Sequence, residues 1–298
     1  AATLGKRSAL AIDLQGRGAR VSLAGAQDKT SIAIFDDGIP RLPKGTSPST
    51  HILKPNVSRF AKVWHSAANE TIVMLSAAKC DLPTAEVFYE PQTGSCVVRR
   101  FDRLTRPDGT LARLVQYDLC QLAGTVSEKK YEKEGGPGLA SCAQLIRKYS
   151  TQPAVDLHHF VGWVFFNLYA GNNDSHAKNL SIYNVPGKGV TLTPFYDLMC
   201  TRMYPGLSKE FAFAIGGEYE TASMTGRHLA RLARQLGMQP RFLARRAGEL
   251  ARRMPNALDQ AIREVKPALP RSAAVLADRL QKFVLSRTAK MAIRLGAA

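Results

Sequence analysis

The chain has 298 residues, of which 45% are hydrophobic and 8% aromatic. This length and composition are typical of a globular protein with a real core, built as one two-lobed domain or two modest domains. The longest apolar stretch, residues 160–170, is too short to span a bilayer. The five cysteines are scattered and odd in number, so neither a disulfide framework nor a zinc site is expected, and a reducing cytoplasm is the expected location.

Positive charge is concentrated towards the C-terminus. The chain carries a net charge of +17. From Arg227 onward it has sixteen Lys and Arg residues and four Asp and Glu residues, an excess of twelve positive charges. Such a concentration favours an acidic partner, either nucleic acid or an acidic protein surface. The alternative is a solvated basic face on an Arg-rich helical region.

The first hundred residues predict a β-rich region with one helix. Asp37-Gly38 is a hairpin turn signal, and Pro55 ends a short predicted strand. After Ala68, apolar residues recur at helical spacing, which predicts a helix with one apolar face. The predicted strands cover 21–35 in two runs, 39–42, 51–54, 87–89 and 96–101, and the predicted helix covers 68–79.

The rest of the chain predicts a mostly helical region. Helices are expected over 114–123, 139–149 and 158–170, and again from Ala222 onward, where prolines at 240, 255, 267 and 270 punctuate the pattern. Two short strands, 180–183 and 190–193, flank a Pro-Gly-Lys-Gly turn signal. We therefore predict an α+β architecture with a small β-rich N-lobe over residues 1–103 and a larger helical C-lobe over residues 104–298.

The most informative motif is the Asp174 to Asn179 spacing followed by Asp197. An Asp with an Asn five positions later is the spacing of a kinase catalytic loop, in which the carboxylate accepts the proton of the substrate hydroxyl. The predicted hairpin after Asn179 brings Asp197 back to the same end, where the amide and the second carboxylate can hold one Mg²⁺. The pattern predicts phosphoryl transfer.

Two further elements suit a nucleotide cleft. Lys54 follows two apolar residues in a predicted strand, and Glu70 in the next helix is its candidate ion-pair partner. The alternative is that Lys54 is an exposed residue at the edge of the sheet. The stretch 22–30 places Gly25 between strand-like runs, where backbone N–H groups could approach phosphates; a plain hairpin turn is the alternative. His176 is a candidate for contacting phosphate or for a structural bond to a backbone carbonyl.

Eight collinear stretches resemble the HipA family, the serine/threonine kinase toxins of bacterial HipBA toxin–antitoxin systems. The resemblance extends from about Val21 to beyond Tyr204. The matching stretches are 22–30 (SLAGAQDKT), 49–54 (STHILK), 69–70 (NE), 97–103 (VVRRFDR), 130–131 (KY), 135–138 (GGPG), 173–179 (NDSHAKN) and 194–198 (PFYDL).

The resemblance implies a fold and a set of site residues. The fold would be the two-lobed HipA kinase fold, related to the phosphatidylinositol-3-kinase-like kinases. Asp174 would be the catalytic base, and Asn179 and Asp197 would bind Mg²⁺. Ser22 would be the autophosphorylated serine, a modification linked to ejection of the phosphate loop. The ATP-binding residues would be Lys54, the phosphate loop of Ala24, Gly25, Ala26, Gln27, Asp28 and Lys29, the hinge of Arg99, Arg100 and Phe101, and His176 and Tyr196 in the nucleotide pocket.

The resemblance also implies partners and substrates. The family's protein substrates are aminoacyl-tRNA synthetases, whose inactivation stalls translation and halts growth. The usual partner is HipB, a helix-turn-helix antitoxin that binds operator DNA, and contact of the kinase with that DNA would suit the basic C-terminal region.

Two departures from the family pattern matter. Arg99 stands in the hinge where an acidic residue is expected. The N-terminal subdomain that precedes the phosphate loop in long HipA proteins has no counterpart before Val21, which leaves a trimmed chain or a subdomain on a separate chain as alternatives.

Two other function classes stay open on sequence grounds. One is a non-catalytic kinase-fold corepressor that binds DNA with an antitoxin. The other is a kinase or nucleotidyltransferase that acts on a small molecule, since metal and phosphate ligands look alike whatever the acceptor.

Overall fold

The computed structural model describes residues 28–297 except 59, 61 and 127. The strands are β1 (Thr30–Ile32), β2 (His51–Lys54), β3 (Val87–Glu90), β4 (Ser95–Arg99), β5 (Arg103–Thr105), β6 (Leu111–Arg113), β7 (Gln116–Asp118), β8 (Ser181–Val185), β9 (Gly189–Leu192), β10 (Glu210–Ile215) and β11 (Glu218–Glu220). The α-helices are α1 (Ser66–Lys79), α2 (Leu119–Leu122), α3 (Leu139–Tyr149), α4 (Pro153–Ala170), α5 (Gly226–Gln235), α6 (Pro240–Val265) and α7 (Arg271–Leu295).

A four-stranded antiparallel sheet in the order β1-β2-β4-β3 dominates the N-terminal part. Leu53 pairs with Val97, and both pack with Ile32 in a small apolar cluster on one face. Because side chains alternate along a strand, Lys54 points to the opposite face, towards α1. Pro55 then ends the strand, since it has no N–H to continue the ladder.

Helix α1 lies between this sheet and the helical part. It is buried on almost every side, and it packs on β3 and β4 as well as on α6 and α7. Small residues such as Ala67 and Ala77, both fully buried, permit this close packing. The helix that carries Glu70 therefore lies inside the main hydrophobic core.

Helix α4 is the buried axis of the C-terminal part and leads into the Asp174 loop. Pro153 starts it, because the first helical position needs no N–H donor. Gly171 ends it with φ of +73°, a left-handed conformation that suits glycine. A Cβ atom at this position would lie 3.0 Å from the Phe283 ring and 3.2 Å from Cβ of Arg202, so the turn is also tightly packed.

A second antiparallel sheet, β7-β8-β9, places the ends of the candidate catalytic segment together. The β8–β9 hairpin matches the prediction closely, and it pairs Ile182 with Leu192. Chain direction reverses across it, so the segment before β8 and the segment after β9 emerge at the same end. Asn179 lies on the first of these segments and Asp197 on the second.

Several predicted elements are confirmed and some are wrong. Strand 51–54 is confirmed in full, and the helices predicted over 68–79 and 158–170 begin two and five residues earlier. The helix predicted over 114–123 is wrong, because β7 occupies its first half. Asp118 then caps the short α2 by accepting from the backbone N–H of Gln121.

Pro255 does not end a helix, although the proline pattern predicted a break there. It lies inside α6, on an exposed position. The backbone carbonyl that loses its partner there can be hydrated on the outer side of the helix, which lowers the cost of the proline. The β10–β11 hairpin was not predicted either. Among the described residues, none of the helices is both long and apolar enough to cross a membrane.

Candidate active site

A cleft of about 1020 Å³ lies between the N-terminal sheet and the Asp174 loop. Lys54, Asp174, Asn179 and Asp197 all line it, although they span 143 positions of the chain. Glu70 lines it as well. The structure therefore brings together the side chains for which the sequence predicted a common site.

Lys54 connects two carboxylates. Its amine lies 2.5 Å from Oε1 of Glu70 and forms a second ion pair with Oδ1 of Asp197. Lys54 and Glu70 are only 5% and 2% exposed. Burial alone would lower the pKa of Lys54, but the charges of Asp197 and Glu70 raise it above its ordinary value, so the amine stays protonated.

Asp197 is held in an unusual backbone conformation with φ of +57°. Non-glycine residues in the left-handed region are uncommon and are concentrated at functional sites. The side-chain amide of Asn172 donates to its carbonyl at 3.4 Å. Burial alone would raise the pKa of Asp197, but the charges of Lys54 and Lys29 lower it to about 2, so the carboxylate is charged at neutral pH.

The loop after α4 fixes Asp174 through its backbone. The carbonyl of Asp174 accepts from the side-chain amide of Asn179 at 3.2 Å and from the backbone N–H of His176 at 3.0 Å. The Ser175 hydroxyl donates to the carbonyl of Asn172 at 3.0 Å. The Asp174 carboxylate itself is half exposed to the cleft. A rigid loop therefore presents a reachable carboxylate.

His176 is buried beside Asp174. Its Nε2 lies 3.8 Å from Oδ1 of Asp174, and its Nδ1 has no hydrogen-bond partner among the described residues. Burial, reinforced by the charge of Lys130, lowers the pKa of His176 to about 4 despite the charge of Asp174. The ring is therefore neutral at pH 7.

The expected hinge is held by ion pairs. Arg99 turns to Glu86, with Nη1 and Oε2 2.8 Å apart, on the exposed side of the sheet. Arg100 donates twice to the Asp102 carboxylate, at 2.9 and 2.7 Å, and Arg103 donates to it at 2.8 Å. The Asp102 carboxylate thus joins the side chains of Arg100 and Arg103, which lie on either side of it in the sequence.

We expect the Asp102 ion pairs to give the protein an acid-sensitive component of stability. Burial opposes the effect, but Arg100 and Arg103 lower the pKa of Asp102 below its ordinary value of 3.8. A lowered folded-state pKa stabilises the fold above that ordinary value, and the contribution is lost as the pH falls below it. Asp102→Asn should therefore lower the free energy of unfolding at pH 6, and the difference should shrink as the pH falls below 3.8.

Denaturant unfolding at pH 6 and pH 3 checks this expectation. Asp36→Asn, at an exposed turn position, is the matched control and should change little at either pH. An Asp102→Asn difference that is the same at both pH values would contradict the ion-pair explanation.

An aromatic pair forms the floor of the expected adenine position. The rings of Phe101 and Tyr196 are stacked, with centroids 5.6 Å apart and an interplanar angle of 30°. The Tyr196 hydroxyl is fixed by the Ser181 hydroxyl at 2.7 Å and by the Lys178 carbonyl at 3.2 Å. The flat apolar surface suits a planar ring.

The phosphate-loop prediction falls mostly on residues that the structure does not describe. Ser22, Ala24, Gly25, Ala26 and Gln27 lie outside the described residues. Asp28 and Lys29 are described, and Lys29 lines the cleft. Burial lowers the pKa of Lys29, with the charge of Asp197 acting in the opposite direction.

Asn69 is a site residue that sequence reasoning missed. It is fully buried, and its side-chain amide pairs with the backbone of Cys200: Oδ1 accepts from the N–H at 2.9 Å and Nδ2 donates to the carbonyl at 3.0 Å. Nδ2 also donates to the Tyr204 hydroxyl at 2.9 Å. Asn69 thus ties α1 to the segment after Asp197. The only sequence signal was its place beside Glu70 in a stretch shared with the HipA family.

Removing this amide should loosen the segment that carries Asp197. Asn69→Ala leaves the buried N–H of Cys200 without its acceptor and removes one donor to the Cys200 carbonyl, which should cost about 1–3 kcal/mol of stability. We expect weaker nucleotide binding in the cleft as well, because Asn69 anchors the segment that follows Asp197. Calorimetric titration with nucleotide and denaturant unfolding measure the two effects.

Ser76→Ala is the matched control for Asn69→Ala. Ser76 is also buried on α1, and its hydroxyl donates to the Ile72 carbonyl of the same helix at 2.7 Å. It should cost about 1 kcal/mol or less and leave nucleotide binding unchanged. Equal nucleotide affinities for Asn69→Ala and Ser76→Ala would show that Asn69 acts only on stability.

The donor set of the cleft fits Mg²⁺ bound together with phosphates. Among the described residues, no three His, Cys, Asp or Glu side chains are grouped closely enough to hold a metal by themselves. Asn179 and Asp197 instead offer an amide and a carboxylate oxygen. Mg²⁺ is commonly bound by one or two carboxylates and completed by waters and substrate phosphates, so this sparse set is suitable.

The fold and the cleft define the class of protein: an α+β protein with the kinase fold. The family model described as the HipA-like C-terminal domain matches residues 21–258. The chain belongs to this family.

Curated relatives include named kinases. The chain is 38% identical over 237 residues to Y4mE of Sinorhizobium fredii, named as a candidate kinase, covering 78% of this chain and 55% of that protein. It is 30% identical over 261 residues to the serine/threonine-protein kinase toxin HipA of Shewanella oneidensis, covering 83% of this chain and 59% of the toxin. The chain thus spans somewhat over half the length of these relatives.

Solved structures of kinases also resemble this chain. HipA of Shewanella oneidensis, in complex with HipB and operator DNA, matches with a TM-score of 0.81 and 27% identity over 98% of this chain and 72% of that one. The Helicobacter pylori proinflammatory kinase CtkA matches with a TM-score of 0.54 and 13% identity over 83% of this chain and 91% of that one, which shows the fold alone.

Proposed function

We propose that the chain is the catalytic part of an ATP- and Mg²⁺-dependent protein serine/threonine kinase of the toxin–antitoxin type. The observation that carries this proposal is the double ion pair of Lys54 with Glu70 and Asp197, in the cleft that also holds Asp174 and Asn179. A lysine paired with a helix glutamate beside a metal-binding aspartate is the active arrangement of protein kinases. The kinase relatives support it.

Each side chain then has a defined task. The Asp174 carboxylate accepts the proton of a substrate hydroxyl as that oxygen bonds the γ-phosphorus of ATP. The bond between the γ-phosphorus and the oxygen that bridges it to the β-phosphorus breaks, and this bridging oxygen leaves as part of ADP. The Lys54 amine holds phosphate oxygens. Asn179 and Asp197 would hold Mg²⁺, which when bound neutralises charge on the phosphates.

The remaining nucleotide contacts follow the same proposal. The hinge of Arg99, Arg100 and Phe101 would lie beside adenine, with Tyr196 under the ring and His176 near the phosphates. Lys29 would close the phosphate side with Asp28 and residues 24–27. The two lobes would divide at residue 103, just after the hinge, into 1–103 and 104–298.

A partner and a substrate class complete the proposal. We propose a HipB-like helix-turn-helix antitoxin as partner, with operator DNA reached through that complex, since HipA of Shewanella oneidensis was solved together with HipB and its operator DNA. The protein substrate would be an aminoacyl-tRNA synthetase. The excess of twelve positive charges from Arg227 onward suits a nucleic-acid partner.

Incubation with labelled ATP tests the activity directly. We expect label on the protein, mapped by mass spectrometry to phosphate on Ser22, and none when EDTA removes divalent metal. Labelling by AMP in place of phosphate would identify a nucleotidyltransferase. Salt-sensitive DNA binding without any ATP turnover would identify a corepressor and refute the kinase.

A further inference from the structure

Tyr131 is held over the Asp174 carboxylate by a well-anchored segment. It comes just before the short 3₁₀ helix Glu132–Glu134. The Glu132 carboxylate accepts from the backbone N–H of Ala214 in β10 at 2.7 Å, and the Lys133 amine lies 2.6 Å from the carboxylate of Glu210. The position of Tyr131 is therefore set by contacts that do not involve Tyr131 itself.

The Tyr131 hydroxyl donates a hydrogen bond to Oδ1 of Asp174. The Lys130 amine and Nε2 of His176 approach the same oxygen only to 3.9 and 3.8 Å, beyond hydrogen-bond distance. The Tyr131 ring packs edge-on against His176, with centroids 5.3 Å apart, and the Lys130 amine lies 4.9 Å from its centroid.

This hydrogen bond is the one that an acceptor substrate would make. A general base must lie within hydrogen-bond reach of the proton it removes, so the acceptor hydroxyl has to donate to Asp174. Burial, together with the charge of Asp174, raises the pKa of Tyr131, so its phenol stays protonated and acts as a donor. With Tyr131 in place the Asp174 side chain is still 51% exposed, so the phenol covers the Oδ1 position while the rest of the carboxylate faces the cleft.

We propose that Tyr131 is a specificity-determining residue, whose hydroxyl occupies the acceptor position on Asp174, keeps water out of it and gives way to the hydroxyl of a protein substrate. This inference rests on the proposed kinase function. A protein substrate can displace the phenol because its remote contacts supply binding energy, whereas a water molecule has no such contacts.

The reaction that Tyr131 suppresses is ATP hydrolysis. In it a water oxygen bonds the γ-phosphorus, the bond from that phosphorus to the bridging oxygen breaks, and ADP leaves. Asp174 takes the proton of the attacking water, and inorganic phosphate is the product. Protein phosphorylation differs only in the acceptor oxygen, so the two products report how the site chooses between acceptors.

The test is Tyr131→Phe in the full chain, with labelled ATP and Mg²⁺ and no added acceptor. Free phosphate and protein-bound phosphate are measured in the same reaction. Loss of one hydrogen bond should raise the rate of free phosphate release about five- to tenfold, while self-labelling changes less than about twofold. Tyr117→Phe, which removes an exposed phenol hydroxyl outside the cleft, should leave both products unchanged.

Four results would overturn the inference. Unchanged rates of both free and protein-bound phosphate would show that the hydroxyl does not exclude water. An equal fall in both rates would show that Tyr131 assists Asp174 in the reaction and does not exclude water from it. Phosphotyrosine at position 131 would make it a substrate. An absence of turnover in every variant would remove the kinase together with the inference.

Asp174→Ala separates the role of Tyr131 from the kinase activity itself. If it abolishes both products while Tyr131→Phe leaves their ratio unchanged, the proposed kinase stands and only the role of Tyr131 falls. If free phosphate and label both persist in Asp174→Ala, the assignment of the base fails independently of Tyr131.

Discussion

Asp174→Ala is expected to reduce phosphoryl transfer by about 10²- to 10⁴-fold, the usual contribution of a positioned general base. The fold should be unaffected, because the Asp174 carboxylate is half exposed and the loop is held by hydrogen bonds from the Asn179 and Ser175 side chains to backbone carbonyls. Labelling rates with labelled ATP measure the first effect, and thermal unfolding measures the second.

Asp156→Asn serves as a contrast for Asp174→Ala. Asp156 is 1% exposed and accepts from the Ser150 and Thr191 hydroxyls at 2.6 and 2.9 Å, and from the Leu192 backbone N–H. Its replacement should lower stability while sparing the chemistry. Full activity in Asp174→Ala would remove Asp174 as the base.

Lys54→Met is expected to lower both stability and activity. It leaves the Glu70 carboxylate buried without its cation, which should cost about 3–5 kcal/mol. Phosphoryl transfer should fall by about 10²- to 10³-fold, as when one preorganised charge is removed from a site. Denaturant unfolding and labelling rates give the two numbers.

The double variant Lys54→Met with Glu70→Leu separates the two effects. Replacing a buried ion pair with apolar side chains of similar volume is often neutral or stabilising, so most of the lost stability should return. Activity should stay low, because the amine that holds the phosphates is still missing. Recovery of activity in the double variant would show that Lys54 serves only the fold.

The grouping of the cleft residues was predictable because these residues carry distinctive spacings. Asp174 and Asn179 are five positions apart on one loop, and the Pro-Gly-Lys-Gly turn signalled the hairpin that returns Asp197. Lys54 was identified from a strand that Pro55 ends. Their convergence in one cleft agrees with the sequence, whereas their individual roles stay predictions.

What the sequence did not indicate depends on contacts across long separations. Asn69 bonds a backbone 131 positions away, and Tyr131 reaches Asp174 across 43 positions, so neither follows from local pattern. Strand β10 contains a short apolar run over residues 211–215, and such a run does not distinguish strand from helix by period. The error at 114–123 was avoidable, since Asp118 and Gln121 form a recognisable capping box.

The packing of α1 restricts how such a kinase can be switched. In protein kinases the helix that bears the glutamate is often the moving part, and its position controls whether the lysine is paired. Here that helix packs between the N-terminal sheet and the long helices α6 and α7. Its Asn69 side chain also forms hydrogen bonds with the backbone of Cys200. Displacing it would open the main core, so moving this helix is a costly way to separate Lys54 from Glu70. For the proposed kinase, we therefore expect regulation to act at the mouth of the cleft, through a partner that covers the nucleotide or competes for Asp174.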